Sequence, residues 1–336
     1  MKKLLLRLAL LAAICCALIP PLDWLFRNFD GRYTYRMMAE MYAAEDISAL
    51  FLGSSHAYRS YDPALADELL GVPTFNAGSS SQFLDQSYYL LREIAAVHDL
   101  DTVYLDTYYG MARIQSSKNS PSIFYISDYM RDWRNKFAYL WHSGGLATVA
   151  DGFITLRHDF MNVNLAANLR SRRRPVADYS TVTYSNEAYR GRGFVYSFET
   201  GGATEAQLKE LTLYDFDREL PMGEFSYAAL LDIIDFCAEK GIRLVLVDQL
   251  MPAEYLARVK GYRHYCAFLA DLARTHGIEY WNFNFYRGDT GLSDAHYMDV
   301  DHLNGAGAEI YTRLFCETAR AIDAGADPGE FFAEIE

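Results

Sequence analysis

The sequence is short of cysteine and of positive charge, and it lacks a phosphate-cradling loop. Each shortage removes a class of protein. Its 5 cysteines include no C-x-x-C pair or other metal spacing, so neither a zinc site nor a disulfide framework is expected. Cys15 and Cys16 sit in an apolar run, while Cys237, Cys266 and Cys316 fall in predicted helices as small buried hydrophobes. Lysine and arginine number 31 against 44 acidic residues, for a formal charge of -13. That balance argues against nucleic acid as the main partner, because phosphate binding needs a basic surface. The one basic cluster, Arg172, Arg173 and Arg174, reads as a solvated loop. The stretch "GSSHAY" holds one glycine and no following lysine, which argues against a nucleotide binder. No cofactor is expected.

What is present is a globular composition, 51% hydrophobic and 15% aromatic, with 26 tyrosines among 336 residues. So many aromatics suit a surface that meets ligand, carbohydrate or membrane. The chain opens on "MKKLLLRLALLAAICCALIPPLDWLF". Lys2, Lys3 and Arg7 precede an apolar run from Leu8 to Ile19, which Pro20 and Pro21 are expected to end. Counting Leu4 to Leu6 and the interfacial Trp24 and Phe26, the run approaches the roughly 20 residues that cross a bilayer. No A-x-A cleavage site follows, and Ile14 stands where a lipoprotein signal needs a small residue. Residues 1–26 therefore read as an uncleaved signal anchor. Its basic flank stays in the cytoplasm and the rest of the chain lies outside.

From Ser48 the pattern alternates between strand and helix. The runs "SALFLG" (48–53), "VPTFNAG" (72–78), "DTVYLDTYY" (101–109), "IRLVLVDQ" (242–249) and "GIEYWNFN" (277–284) read as buried parallel strands. "DPALADELLG" (62–71) carries an Asp cap, a first-turn proline and a closing glycine, the signals of a helix. Helical periodicity also marks 81–98, 225–241, Pro252 to about His276, and 301–322. Such alternation implies an α/β domain over 46–324, three-layered α/β/α, with a five-stranded parallel sheet in flavodoxin-like order 2-1-3-4-5. An aromatic-rich insertion, 111–222, follows strand three. It has helical pieces near 122–140 and 145–170 and a loop-like "NEAYRGRGFVYSFETGG", and it is placed to cover one end of the sheet. Residues 325–336 form a C-terminal tail.

Ligands of open parallel sheets bind beyond the carboxyl ends of the strands. Gly53, Ser54, Ser55 and His56 follow strand one; Asn76, Gly78 and Ser79 follow strand two; Asp106 follows strand three and Asp248 strand four. Asp294, His296, Asp299, Asp301 and His302 lie past strand five. A serine hydroxyl needs a base within reach and the base needs an orienting group. His302 with Asp299, three residues before it, supplies both. Asp301, adjacent to the histidine, is expected to point away, and His296 lacks so well placed a partner. Ser54, His56 and Ser79 read as walls of the site. Arg59 is expected to pair with Asp62 rather than to bind an anion.

Gly-x-Ser after the first strand, Asn-x-Gly after the second and Asp-x-x-His before the last helix resemble the SGNH/GDSL hydrolase superfamily. The resemblance covers about 46–110 and 224–322. It implies Ser55 as nucleophile, His302 as base and Asp299 as its orienting acid. It also implies an oxyanion hole from the backbone N–H groups of Ser55 and Gly78. The family's Asp before the serine is Ser54 here. Its Gly-x-Asn-Asp block is missing where strand three ends in "LDTYYG", leaving Asn76, Ser79 or a tyrosine as substitutes for that donor. With the N-terminal anchor, these departures look like the membrane-anchored branch that modifies cell-envelope polymers, the teichoic acid D-alanylation (DltD-like) and alginate O-acetylation proteins. That branch implies an extracytoplasmic esterase or O-acyltransferase, an acylated glycan or polymer as substrate, and a membrane-bound O-acyltransferase as partner. A non-catalytic binding or assembly protein on the same fold is the alternative.

Overall fold

The computed structural model describes residues 1–26, 33–118, 120–154, 157, 158, 165, 166, 169, 182, 183, 186–217 and 221–335. The arginine cluster Arg172 to Arg174 and much of the helical piece expected over 145–170 lie outside the described residues.

Helix α1 (Lys2–Phe26) runs through Pro20 and Pro21 rather than ending there. Proline removes a donor and crowds the preceding turn, which strains a helix without having to end it. The helix is long and apolar enough to cross a membrane, and none of its most apolar window is buried against the protein. A signal sequence passes the same test of length and composition. Helix α2 (Tyr33–Ala43), which no sequence signal marked, follows.

Strands β1 (Ala49–Gly53), β2 (Thr74–Gly78), β3 (Thr102–Asp106), β7 (Arg243–Asp248) and β8 (Glu279–Asn282) form a five-stranded sheet in the order β2-β1-β3-β7-β8. Every pairing within it is parallel, so the chain order 2-1-3-4-5 expected for a flavodoxin-like three-layer fold is the observed one. The sheet is buried on both faces, as parallel sheets must be. Leu50, Leu52, Val103, Leu105, Leu244 and Leu246 meet the core that includes α5 (Leu84–Ala95) and a helix over Glu224–Lys240. The alternate residues Ala49, Phe51, Tyr104, Val245 and Val247 meet Tyr311, Phe315 and Cys316 of a helix over Gly305–Asp323. That helix also packs against α3 (Ser55–Ser60) and α4 (Pro63–Leu70). Cys237, Cys266 and Cys316 are free and buried.

The helix expected from Pro252 to His276 is split into Ala253–Leu256 and Tyr262–His276, because Gly261 adopts a left-handed conformation between them. Within the tail expected over 325–336, the described residues 325–335 do not hang free. A short helix covers Pro328–Phe331, and Phe332 is buried against Trp281 and Phe283.

Among its described residues, the insertion holds more regular structure than its sequence suggested. It contains α6 (Ile123–Ser127), α7 (Trp133–Phe153, kinked at Gly144 and Gly145) and a helix over Glu205–Leu211. The stretch read as loop-like holds a β-hairpin, β5 (Glu187–Gly191) and β6 (Phe194–Ser197), which β4 (Val182–Thr183) just before it extends to a three-stranded antiparallel sheet. Its hairpin turn docks on β2, where Asn76 N donates to Arg192 O at 3.0 Å. Arg59 pairs with Glu187 of β5 at 2.8 Å, not with Asp62, which caps α4.

Candidate active site

The site begins where β1 runs into α3. Gly53, with φ 156°, closes the strand against Asp106, where a side chain's Cβ would lie 2.6 Å from the Asp106 Cβ. Ser54 is the cap of α3 and Ser55 its first residue. The tight turn turns the two serines apart. Ser54 is buried and donates to Asp106 Oδ2 at 3.2 Å, while Ser55 stays half-buried at the cavity wall.

Ser55 Oγ lies 2.8 Å from His302 Nε2, across 247 residues of sequence. The other ring nitrogen, Nδ1, is 3.0 Å from both carboxylate oxygens of Asp299. Asp299 is held by its own turn, since its Oδ1 accepts from Asp301 N at 3.1 Å and from His302 N at 2.8 Å. This is an Asx-type turn, a motif that short acidic side chains form readily. The sequence spacing thus brings Ser55, His302 and Asp299 into one hydrogen-bonded line.

Asp301 corrects the sequence reading. Far from pointing away, its Oδ1 lies 3.0 Å from His302 Nδ1. The reversal is closed by Met298 N donating to His302 O at 2.9 Å and by the Tyr297–Leu303 bridge, which curls both carboxylates onto one imidazole edge. Tyr108 donates to Asp301 Oδ2 at 2.7 Å, and His56 Nε2 faces the same oxygen at 3.5 Å. The His56 ring is sandwiched between Tyr108 (centroids 3.7 Å apart) and His302 (4.3 Å). His56 is therefore a wall, as expected, but one that also faces the charge beside the base.

These contacts set the titration. Burial alone would pull His302 down, but the hydrogen bonds and charges of Asp299 and Asp301 outweigh it and raise it to about 9. Burial pushes Asp301 up, yet its contacts with His302 and His56 hold it well below the usual carboxylate range. His56 is lowered, by burial first and then by the His302 charge. Asp106, fully buried and near Asp248, is raised to about 7.

Two expected oxyanion groups have other partners. Gly78 N donates to Asn76 Oδ1 at 3.1 Å. Both amide hydrogens of Asn76 are committed to α3, reaching Ala57 O at 2.8 Å and Tyr61 O at 3.0 Å. Asn76 is thus a brace between β2 and α3, and Gly78 is glycine because α3 crosses it: a Cβ there would sit 2.7 Å from Tyr58 N. Ser79 lines a neighbouring cavity with Tyr58 and Arg59, while Ser81, a non-glycine residue at φ 51°, lines the one that holds Ser55. His296 Nδ1 is turned into its own loop, accepting from Ser293 N at 2.9 Å.

The Ser55 cavity encloses about 340 Å³. One wall carries Asp299, Asp301 and His302; the other comes from the insertion, through Gln207, Glu210, Leu211 and Tyr214. His56, Asp301 and His302 also place ligand atoms within 4.8 Å of one another, a spacing a metal ion would accept. A metal there would compete with Asp299 and Ser55 for the two ring nitrogens of His302.

No protein-family model matches the chain, and no curated protein matches it. Among solved structures it is similar to the crystal structure of a Bacteroides fragilis protein provisionally named an acylhydrolase. The identity is 10% over 88% of this chain and 99% of that one, and the TM-score is 0.39. A superposition so loose assigns no activity to this chain.

Proposed function

We propose that the chain is a serine-dependent esterase or O-acyltransferase of SGNH/GDSL type, working through Ser55, His302 and Asp299. The observation that carries this reading is the 2.8 Å approach of Ser55 Oγ to His302 Nε2, with a carboxylate on Nδ1. Nucleophile, base and orienting acid are the parts that acyl transfer needs.

In this mechanism neutral His302 takes the Ser55 proton at Nε2 as Oγ attacks an ester or thioester carbonyl. Asp299 and Asp301 hold the Nδ1–H and stabilise the imidazolium. The tetrahedral intermediate collapses, the leaving alkoxide or thiolate takes that proton, and an acyl-Ser55 ester remains. Water or a sugar hydroxyl then attacks under the same base, giving hydrolysis or transfer. The Ser55 N–H is one oxyanion donor. The second comes from the 79–81 loop or from Gly78 after its N–H leaves Asn76; losing one such donor typically costs about 2.7–4 kcal/mol.

The basic flank of α1 and its apolarity support a domain tethered outside the cytoplasm, acting on an acylated envelope polymer or glycan beside a membrane-bound O-acyltransferase. The occupied Gly78 N–H favours a second reading, a non-catalytic binding protein on the same scaffold. Hydrolysis of a 4-nitrophenyl acyl ester separates the two. The first expects turnover that Ser55→Ala abolishes; turnover equal in Ser55→Ala and the parent chain, or none from either folded protein, leaves the second.

A further inference from the structure

The chain has 4 tryptophans, and three of them are exposed. Trp281 is buried in the core, but Trp24, Trp133 and Trp141 are 56%, 59% and 54% exposed. Trp24 stands near the outer end of α1. Trp133 and Trp141, with Phe137 between them, lie at i, i+4 and i+8 on the solvent side of α7. Phe137 and Trp141 stack on each other with centroids 6.0 Å apart. By helix geometry the three rings fall within about 80° of arc and about 12 Å of length. The opposite face of α7, with Asn135, Tyr139, Leu140 and Ser143, is buried.

An exposed aromatic stripe of this kind is unusual on a water-facing helix. Two tryptophans are also the residue type that sits where hydrocarbon meets headgroup. Its place in the chain gives it a partner. Six residues, 27–32, join α1 to α2, a span of at most about 25 Å. Helix α2 is fixed to the start of α7. Tyr35 packs on Tyr129 with centroids 5.3 Å apart, Arg131 covers the Tyr42 ring at 3.9 Å, and Arg131 N donates to Tyr42 Oη at 3.0 Å. The Arg134 guanidinium, 5.3 Å from the Trp133 ring centre, adds a cation suited to lipid phosphate at the edge of the stripe.

We propose that the Trp133–Phe137–Trp141 face of α7 docks on the headgroup–acyl boundary of the same bilayer that α1 enters. The domain is then held against the membrane by two contacts, the helix and the stripe, and Trp24 belongs to the same interfacial belt. The proposal rests on the reading of α1 as an anchor.

The test uses the full chain in nanodiscs of phosphatidylethanolamine and phosphatidylglycerol, with Cys15→Ser and Cys16→Ser to remove the exposed thiols. Nitroxide labels are placed at Phe137→Cys, at Trp141→Cys and, as a water-facing control on the other side of the sheet, at Glu309→Cys. The expected result is oxygen accessibility several-fold above nickel-chelate accessibility at 137 and 141, and the reverse at 309. Trp133→Ser with Trp141→Ser should move the 137 label toward the aqueous value. Labels at 137 and 141 as open to the chelate as the control overturn the docking while leaving the anchor intact. Labels shielded from both reagents place a protein partner there and overturn it as well. A chain that washes out of the nanodisc overturns the anchor and the docking together.

Discussion

Asp301 and His302 are adjacent in the chain, yet the Asp301 carboxylate lies 3.0 Å from His302 Nδ1, as close as Asp299 does from three residues away. One imidazole N–H thus faces two carboxylates. The pair divides the work by environment: Asp299 is fixed by its own turn, and Asp301 by Tyr108.

Asp299→Asn and Asp301→Asn are each expected to lose only about 3- to 10-fold in kcat/KM, because the other carboxylate still holds the tautomer. The double variant should lose about 10³- to 10⁴-fold, the scale on which a serine triad loses its acid. Steady-state kinetics on an activated ester tests this, and a double loss equal to the product of the singles would show that the two act independently.

The pH profile follows from the same carboxylates. His302 is raised to about 9, so at neutral pH most of it is imidazolium and only the neutral fraction can accept the serine proton. The kcat/KM should climb about tenfold per pH unit up to about 9 and then level. Asp301→Asn removes one of the groups that raise His302 and should move that break to lower pH. A break that stays in place contradicts the assignment.

Much of this was legible in the chain. Each sheet strand is a short apolar run stopped by glycine, Asp or Asn, and burial on both faces leaves no alternation to misread. Ser55, Asp299 and His302 announced themselves by position after strands. Asp301 did not, because the rule that neighbours point apart presumes extended backbone and the 297–303 segment doubles back. Helix α3 was hidden by its length of 6 residues. Helix α2 was hidden because its buried side includes Arg36 among Met37, Met38 and Met41. The hairpin over 187–197 was masked by its glycines and arginines; the pairing of Arg192 with Asp67 and of its carbonyl with β2 exists only in three dimensions.

Asp106 gives a stability prediction. Its carboxyl is fully buried and raised to about 7 from an ordinary 3.8. Between those values the folded chain holds a proton that the unfolded chain has lost, so stability falls as pH rises through that window. The total is on the order of 4 kcal/mol above pH 7. Asp106→Asn removes the titration, and its gain in melting temperature should be larger at pH 8 than at pH 5.

Gly78→Ala tests the crossing of β2 and α3. Its Cβ would press on Tyr58 N and on Ser54 O, 2.9 Å away. The helix that carries Ser55 must shift, at a cost of about 1–3 kcal/mol for overpacking. Activity should fall by about 10²-fold, measured beside a thermal melt that shows the chain still folded.

The central claim is that Ser55 is a nucleophile activated by His302. The direct measurement is intact-mass and peptide mapping after reaction with a fluorophosphonate. One adduct on Ser55 is predicted, formed faster as pH rises toward 9, lost in Ser55→Ala and strongly slowed in His302→Ala. Labelling that persists in Ser55→Ala, or a folded chain that takes no label at any pH, would contradict it.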